Sequence, residues 1–381
     1  MTLYTYSFIN KKRDLSDIMS TVIKDEPRFI SNFNCRETAT AQKHEWFEDQ
    51  LAGRSVTATG ASGNTINASA ADLAKLKVGT LLVVQNDSAL FQVTAVNEDS
   101  FSVSKVAANG SVNENVNAQD VLNIVSSPMA EGSNSGDGEE AYHQSATEFN
   151  CTQIFRKDII ITGSAIAIDV YGGIDNQINR QTAFALGELA RDLNRVALFG
   201  RRVEAAENVR GEAGGLYFFA TREGSMQINA NSKKFDSIMV NDAAQAILSA
   251  GGDPVQILCS PGQARVLSNE YRDQLQIVRS DDRRGAYVAV IVNEINGRGM
   301  TIMADPDMPD HDAFVLDPTG CGLAPLRGRA ISDEDATPKG FDGVKRMALG
   351  ELTFLFKNAK QRICRISGLT PSIEALAAIK G

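Results

Sequence analysis

Histidine, tryptophan and cysteine are scarce, and their scarcity removes most enzyme classes. The three histidines, His44, His143 and His311, lie in three separate segments. No HExxH, GxSxG, CxxC or Walker loop occurs, and no strand-GxGxxG-helix is present. The five cysteines (Cys35, Cys151, Cys259, Cys321 and Cys364) are odd in number and far apart. That spacing excludes a zinc ribbon and argues against a disulfide framework. Isolated cysteines of this kind are small buried hydrophobes of a reducing compartment, so a cytoplasmic origin is expected. No run of about 18 apolar residues exists, which excludes a membrane-spanning helix. The opening MTLYTYSFINKKRDLSD has no apolar core ahead of its basic cluster, so it does not read as a signal peptide.

Arginine is missing from one long stretch altogether. Between Ser55 and Ala141 stand ten acids (Asp72, Asp87, Glu98, Asp99, Glu114, Asp120, Glu131, Asp137, Glu139 and Glu140) against Lys75, Lys77 and Lys105. This segment carries −7 of the net −9, so the rest of the 381 residues is close to neutral. A chain built to grip DNA shows a basic stripe, and none is seen here. With 43% hydrophobic residues the chain has ample apolar mass to fold, which excludes disorder throughout.

The pattern of apolar residues then sets out the elements. Residues 1–36 read as an extended arm. Asp14 or Ser16 caps a helix over Ile18, Met19, Val22 and Ile23, and Pro27 ends it. Residues 37–54, with the only tryptophan, Trp46, alternate as a strand does. From Ser55 to Pro128 the runs TLLVVQ, LFQVTAV and SFSVSKV describe a small all-β module. Gly79 and Asn109-Gly110 supply its turns, and a short helix covers Ala70 to Leu76. EGSNSGDGEEA (131–141) is an acidic linker or exposed loop.

Residues 147–170 read as strand. A long helix over Ile174 to Phe199 follows, with apolar residues at steps of three and four, closed by Gly200. Beyond it lie a helix over Ile238 to Leu248 capped by Asp236, the buried strand VQILCS, and a helix opened by Pro261. The strands YVAVIVNEI, MTIMA and AFVLD come next. ELTFLFKN and QRICRISGL are expected to form a hairpin.

Two acidic clusters invite a metal reading. Asp305, Asp307, Asp310, His311, Asp312 and Asp317 in ADPDMPDHDAFVLDP offer the oxygens a divalent ion wants. The stronger reading is a solvated turn between two strands, since EF-hand spacing is absent and no glycine marks the sharp turn. SNSGDGEEAYH (133–143) is likewise read as an acidic loop rather than a calcium site. In RSDDRRGA, Arg279, Arg283 and Arg284 suit a phosphate, but Asp281 and Asp282 favour a loop that pairs with a neighbouring subunit. Lys11, Lys12 and Arg13 give a small basic cluster, enough only for weak, salt-sensitive contact with nucleic acid.

The ordered set of segments resembles the major capsid proteins of tailed phages. KHEWFEDQLA is similar to the outgoing strand of their extended loop, and EFNCTQIFRKDIIITGSAIAIDVYG to its return. QTAFALGELARDLNRVALFG resembles the spine helix. GGDPVQILCSPGQARVLSN with YVAVIVNEINGRGMTIMADPDMPDHDAFVLDP resembles the axial domain, and Gly350 to Gly368 the closing strands. The resemblance implies an α+β chain of the Hong Kong 97 phage-type capsid fold with an inserted β domain. Its parts would be an N-terminal arm (1–36), extended-loop strands (37–54 and 142–165), the insert (55–141), a peripheral domain (166–232 and 341–381) and an axial domain (233–340).

It further implies a non-catalytic protein with no cofactor and no metal. The chain would assemble into pentamers and hexamers of an icosahedral or prolate head around double-stranded DNA, touched non-specifically. A separate scaffolding protein, a portal protein and a decoration protein are the other partners implied, with no membrane contact. The expected inter-subunit contacts are Trp46, Glu48, Arg156, Arg191, Arg279, Arg283 and Arg284. No lysine spacing picks out a covalent crosslink. Three rival readings stand beside this one. They are an encapsulin-like nanocompartment shell, a metal-dependent enzyme using Asp305–Asp317, and a binding protein whose β module recognises a host surface.

Overall fold

The computed structural model describes residues 27–33, 35–48, 53–84, 89–107, 116–129, 131–132, 146–168, 177–270 and 290–379. The helix expected over residues 18–23, the Asn109-Gly110 turn and the arginines at 279, 283 and 284 lie outside them. The chain divides into two compact units, Asp49–Ala146 and the remainder.

The smaller unit is a seven-stranded antiparallel sheet. Its spatial order runs Ser55–Thr57, Val121–Ser126, Leu81–Val84, Leu90–Val96, Ser100–Ala107, Thr65–Asn67 and Gly60–Ser62. Period-two alternation puts Leu82, Val84, Phe91, Val93, Phe101 and Val103 on one buried face. The expected short helix is the single turn Ala70–Leu73, capped by Ser69, whose Oγ accepts from Asp72 N at 3.2 Å. Gly79 turns with φ +98°, a conformation that favours glycine.

The larger unit holds two main sheets. The first orders Cys35–Arg36, Cys321–Pro325, Gly343–Phe356 and Gln153–Thr162, with Ser332–Asp335 also paired to Gly343–Phe356. The second orders Met226–Asn229, Ile363–Ser367, Asp312–Leu316, Gln256–Cys259, Gly299–Ala304 and Val290–Val292. Its central strands are covered on both faces. Ile257, Cys259, Ala313 and Val315 join one core, while Leu258, Phe314 and Leu316 join the other. The helices Ser237–Ser249 and Pro261–Glu270 cover the first of those faces. Asp236 caps the former, accepting from Met239 N at 3.0 Å. The sequence-derived boundaries cut across these sheets. Cys321–Pro325 and Ser332–Asp335 pair with the first sheet, and Met226–Asn229 and Ile363–Ser367 with the second.

The hairpin and the single strand over residues 147–170 are corrected. ELTFLFKN and QRICRISGL do not form a hairpin. Asn358 (φ +53°) and the helical turn Ala359–Arg362 carry the chain from the first sheet into the second. Phe354 and Phe356 thus fill one core, and Cys364 and Ile366 the other. Pro27 stands at the head of a helical turn, Arg28–Ser31, whose Phe29 is buried. Residues 147–170, read as one strand, are two strands, Ala146–Cys151 and Gln153–Thr162, followed by a short helix, Gly163–Ala167.

The long helix spans Gln177–Phe199, about 35 Å at the usual rise. Leu189, Leu193, Ala197 and Leu198 enter the core. Gly200 follows it where a Cβ would collide with the Ala213 carbonyl and with Val196, so no side chain fits. Among the described residues no helix is long and apolar enough to cross a membrane.

Candidate assembly surfaces

Two strands, Lys43–Glu48 and Ala146–Cys151, pair as a two-stranded ribbon. Alternation on the first buries Trp46 and Glu48 and leaves Phe47 79% exposed between them. Trp46 Nε1 donates to Glu48 Oε1 at 2.9 Å, and the same oxygen accepts from Asn358 N at 2.8 Å. Both residues expected to meet a neighbour are thus spent inside their own chain. A tryptophan with its N–H satisfied is a good core anchor. The residue available on that strand is Phe47, which sequence reading passed over for the tryptophan beside it.

The strand Ala146–Cys151 is held by a charged clamp. Glu148 accepts from Arg202 Nη1 at 2.5 Å and from Arg222. Arg202 also lies 3.9 Å above the Phe149 ring, with Lys43 4.0 Å from the same ring. Burial works against ionisation of Glu148, but Arg222, the Phe149 N–H and Arg202 together outweigh it and hold the carboxyl below its usual range. Next to it, Asn150 is fully buried. Its Nδ2 donates to the Gly214 and Phe354 carbonyls at 2.9 and 2.8 Å, and its Oδ1 accepts from Gly214 N at 2.7 Å.

The strand Gln153–Thr162 runs antiparallel to Gly343–Phe356, from Gln153 opposite Leu352 to Thr162 opposite Gly343. One face buries Phe155 and Ile159; the other exposes Ile154, Arg156, Asp158 and Ile160. Arg156 grips Asp158 through two bonds, of 2.7 and 2.9 Å, so its charge is already paired within the chain. Arg191 is half-buried on the long helix. Lys157 reaches Asp192 of that helix at 2.6 Å. Beyond this bridge an apolar groove of about 720 Å³ opens between strand and helix.

The six side chains of the acidic loop are distributed among separate tasks. Asp305 and Asp307 both accept from Asn194 Nδ2, at 3.0 and 3.2 Å, and Arg195 bonds Asp307 at 3.1 Å. Asp310 accepts from Ser260 Oγ at 2.6 Å and from Ser372 N. Asp312, buried, takes Tyr217 OH at 2.8 Å and Arg365 at 2.9 Å. Asp317 caps the turn Pro318–Gly320, while His311 stays exposed. Among the described residues no group of three or more such side chains could hold a metal ion. Burial pushes the Cys259 and Cys364 thiols up to about 12, which leaves them protonated and poor nucleophiles.

A family model described as SU10 major capsid protein matches residues 1–370. The cyanophage A-1(L) capsid asymmetric unit is 12% identical, covers 96% of this chain and 98% of its own, and superposes with a TM-score of 0.56. The capsid of an empty GTA particle is 9% identical, covers 94% and 95%, and gives 0.50. At such identities the two structures speak for the fold. No curated protein matches the chain.

Proposed function

Because the chain belongs to the SU10 major capsid protein family, we propose that it tiles the head of a tailed phage as pentamers and hexamers around double-stranded DNA. It is a shell-forming structural protein with the Hong Kong 97 phage-type capsid fold, and its place is the virion. The observation that carries the fuller reading is the extent of the family match, which runs through the β unit as well as the rest. The reading contains no catalytic step, and assembly takes place in the host cytoplasm, aided by separate scaffolding, portal and decoration proteins.

The ribbon of Lys43–Glu48 and Ala146–Cys151 is the root of the extended loop in this reading, and Gln177–Phe199 is the spine helix. The first sheet with the spine helix makes the peripheral domain, and the second sheet the axial domain. Phe47, Arg156 and Arg191 are the residues of these elements that neighbours would meet. Many modest contacts of this kind sum through multivalency and let early errors dissociate.

Electron microscopy of the purified chain, with its mass by light scattering, tests the reading. Closed shells or free pentamers and hexamers are expected, with DNA rather than protein cargo in particles taken from lysed hosts. Shells filled with a cargo enzyme would favour the nanocompartment. A strict monomer under every condition, with or without scaffold, would sink the proposal. The insert is proposed to strengthen contacts between capsomers. Replacing residues 55–141 by a short linker should weaken shells against dilution or chaotrope more than it lowers the melting point of the remaining unit. Equal shell strength would remove that role.

A further inference from the structure

The first sheet of the larger unit ends on a long strand. Gln153–Thr162 pairs with Gly343–Phe356 along one edge, and among the described residues no strand pairs along the other. An open edge shows a row of unbonded N–H and C=O groups, and folded proteins blunt such edges with proline, bulges, charge or short length. Elsewhere in this sheet those devices are present. Cys35–Arg36 is two residues long, and Ser332–Asp335 carries Asp333, Glu334 and Asp335 on four. Gln153–Thr162 runs ten residues with no proline, glycine or bulge. Six successive residues, Lys157 to Thr162, line the groove of about 720 Å³, so the groove follows the backbone edge rather than one face.

The exposed face of this strand is complementary to itself. Ile154, Arg156, Asp158 and Ile160 read apolar, cation, anion, apolar. Turned end for end, the order is apolar, anion, cation, apolar. A second copy laid antiparallel, with Lys157 opposite the partner's Lys157, sets Ile154 against the partner's Ile160 and Arg156 against the partner's Asp158. Two-fold symmetry then makes each contact twice. Arg156 already holds Asp158 of its own strand through bonds of 2.7 and 2.9 Å, and that pair need not open. Two such pairs lie side by side with opposite signs facing, so the four charges alternate around a square. On the other face Phe155 falls opposite the partner's Ile159. Lys157 lies on the axis, but Asp192 binds its ammonium at 2.6 Å, so two neutralised pairs meet there rather than two bare cations. A slip of two residues in either direction sets Arg156 against the partner's Arg156, or Asp158 against the partner's Asp158. Charge therefore fixes the register.

We propose that Gln153–Thr162 pairs antiparallel with the same strand of a second copy, across a two-fold axis at Lys157. The first sheets of two subunits join there into one continuous sheet. The contact rests on the reading that copies of this chain associate, and it adds which edge they use and in what register.

Disulfide trapping in the full-length chain reads the register. Cys151, Cys259, Cys321 and Cys364 are buried, so a Cys35→Ser background leaves a quiet baseline. Ile154 and Ile160 are 54% and 57% exposed, so chains carrying Ile154→Cys or Ile160→Cys are expected to fold. In the proposed register position 154 faces position 160 of the mate, with Cβ atoms about 5 Å apart. Two copies of position 154, or two of position 160, stand about 20 Å apart. An equal mixture of the two variants should therefore form disulfide dimers at least about tenfold faster than either variant alone, on a non-reducing gel. Asp158→Arg in both chains should remove that advantage. Adding Arg156→Asp should restore it, because the swapped order is again complementary to itself. Equal rates in all three samples would mean random encounter and would overturn the pairing. Faster linkage in one variant alone would show another register and would overturn it too. Shells that form normally while the mixed pair stays unlinked would overturn this contact and leave the shell reading standing. Mixed dimers from a chain that never builds shells would support the contact and count against the shell. No linkage and no shells would overturn both.

Discussion

The two units fill their cores by different means. The β unit packs Val, Leu, Ile and Ala around Phe91 and Phe101, and its ladders join successive strands such as Leu90–Val96 and Ser100–Ala107 as well as distant ones such as Ser55–Thr57 and Val121–Ser126. Several of its polar contacts are short in sequence, with Ser69 capping Asp72, Lys75 meeting Asp72 at 2.5 Å and Asp120 accepting from Asn117 N at 2.7 Å, and the longest described, between Thr80 and Ser127, spans 47 positions. The larger unit is aromatic, with Phe29, Phe33, Phe219, Phe314, Phe354 and Phe356 meeting largely edge to face. Buried polar side chains stitch distant parts of that unit together. Asn150 reaches Phe354 across 204 positions, and Thr152 reaches Glu351 across 199. The small unit is specified by pattern and turn chemistry, which act locally. The large unit also needs directional polar bonds to choose which of many apolar segments meet.

The largest expected effect separates the two melting transitions. Phe314→Ala empties the centre of the larger unit, where the ring meets Tyr217 at 5.0 Å. It should cost that unit about 3–5 kcal/mol and leave the β unit's transition in place. Calorimetry checks this, and a joint shift of both transitions would end the picture of two separately cooperative units. Leu82→Ala is the mirror test. It should cost the β unit about 3 kcal/mol with the larger unit unmoved.

Asn150→Ala comes next. It removes little volume but strands two buried carbonyls and two N–H groups that now bond to the amide. The expected cost is about 2 kcal/mol, all in the larger unit, since each orphaned group bears its own desolvation. A loss no larger than that of an exposed Asn→Ala would show that the stitches do not select the pairing.

What the sequence made legible follows the same division. The three β runs of the small unit, its short helix at Ala70 and its Gly79 turn were all readable, because alternation and turn residues are local signals. The long helix was readable from its period, as was the Asp236 cap. The partnering of Gly343–Phe356 and Ile363–Ser367 was not. A four-residue turn between two apolar strands looks like a hairpin unless the left-handed Asn358 and the two different cores are seen. Trp46 and Glu48 are expected from the sequence as inter-subunit contacts, and both are buried within the chain. The tryptophan's partner, Glu48, sits two positions away on the same inward face, a pairing visible in sequence only once the strand's phase is known. The acidic loop misled in the opposite way. Its carboxylates cluster along the chain, yet they are shared out among separate partners, Asn194, Ser260, Tyr217 and Arg362, brought in by tertiary structure.

The smallest effect concerns acid. Glu148 is ionised below its usual range, so its contribution is fully present above the unfolded value of about 4.3 and is lost as pH falls through the lower folded value. Glu148→Gln keeps the shape and removes the charge that Arg202 and Arg222 face. The larger unit of the variant should therefore melt below the parent at pH 7, and the gap should close as pH falls below about 4. Asp72 in the β unit is also held low: burial opposes its charge, and Lys75 and the Thr57 N–H outweigh it. The β unit should thus lose stability over a similar acid range, whichever residue stands at position 148. A gap at position 148 that stays constant from pH 7 to pH 3 would mean the clamp works by packing on Phe149 and not by charge. The contrast between a locally held and a remotely stitched unit would then rest on Asn150 and Thr152 alone.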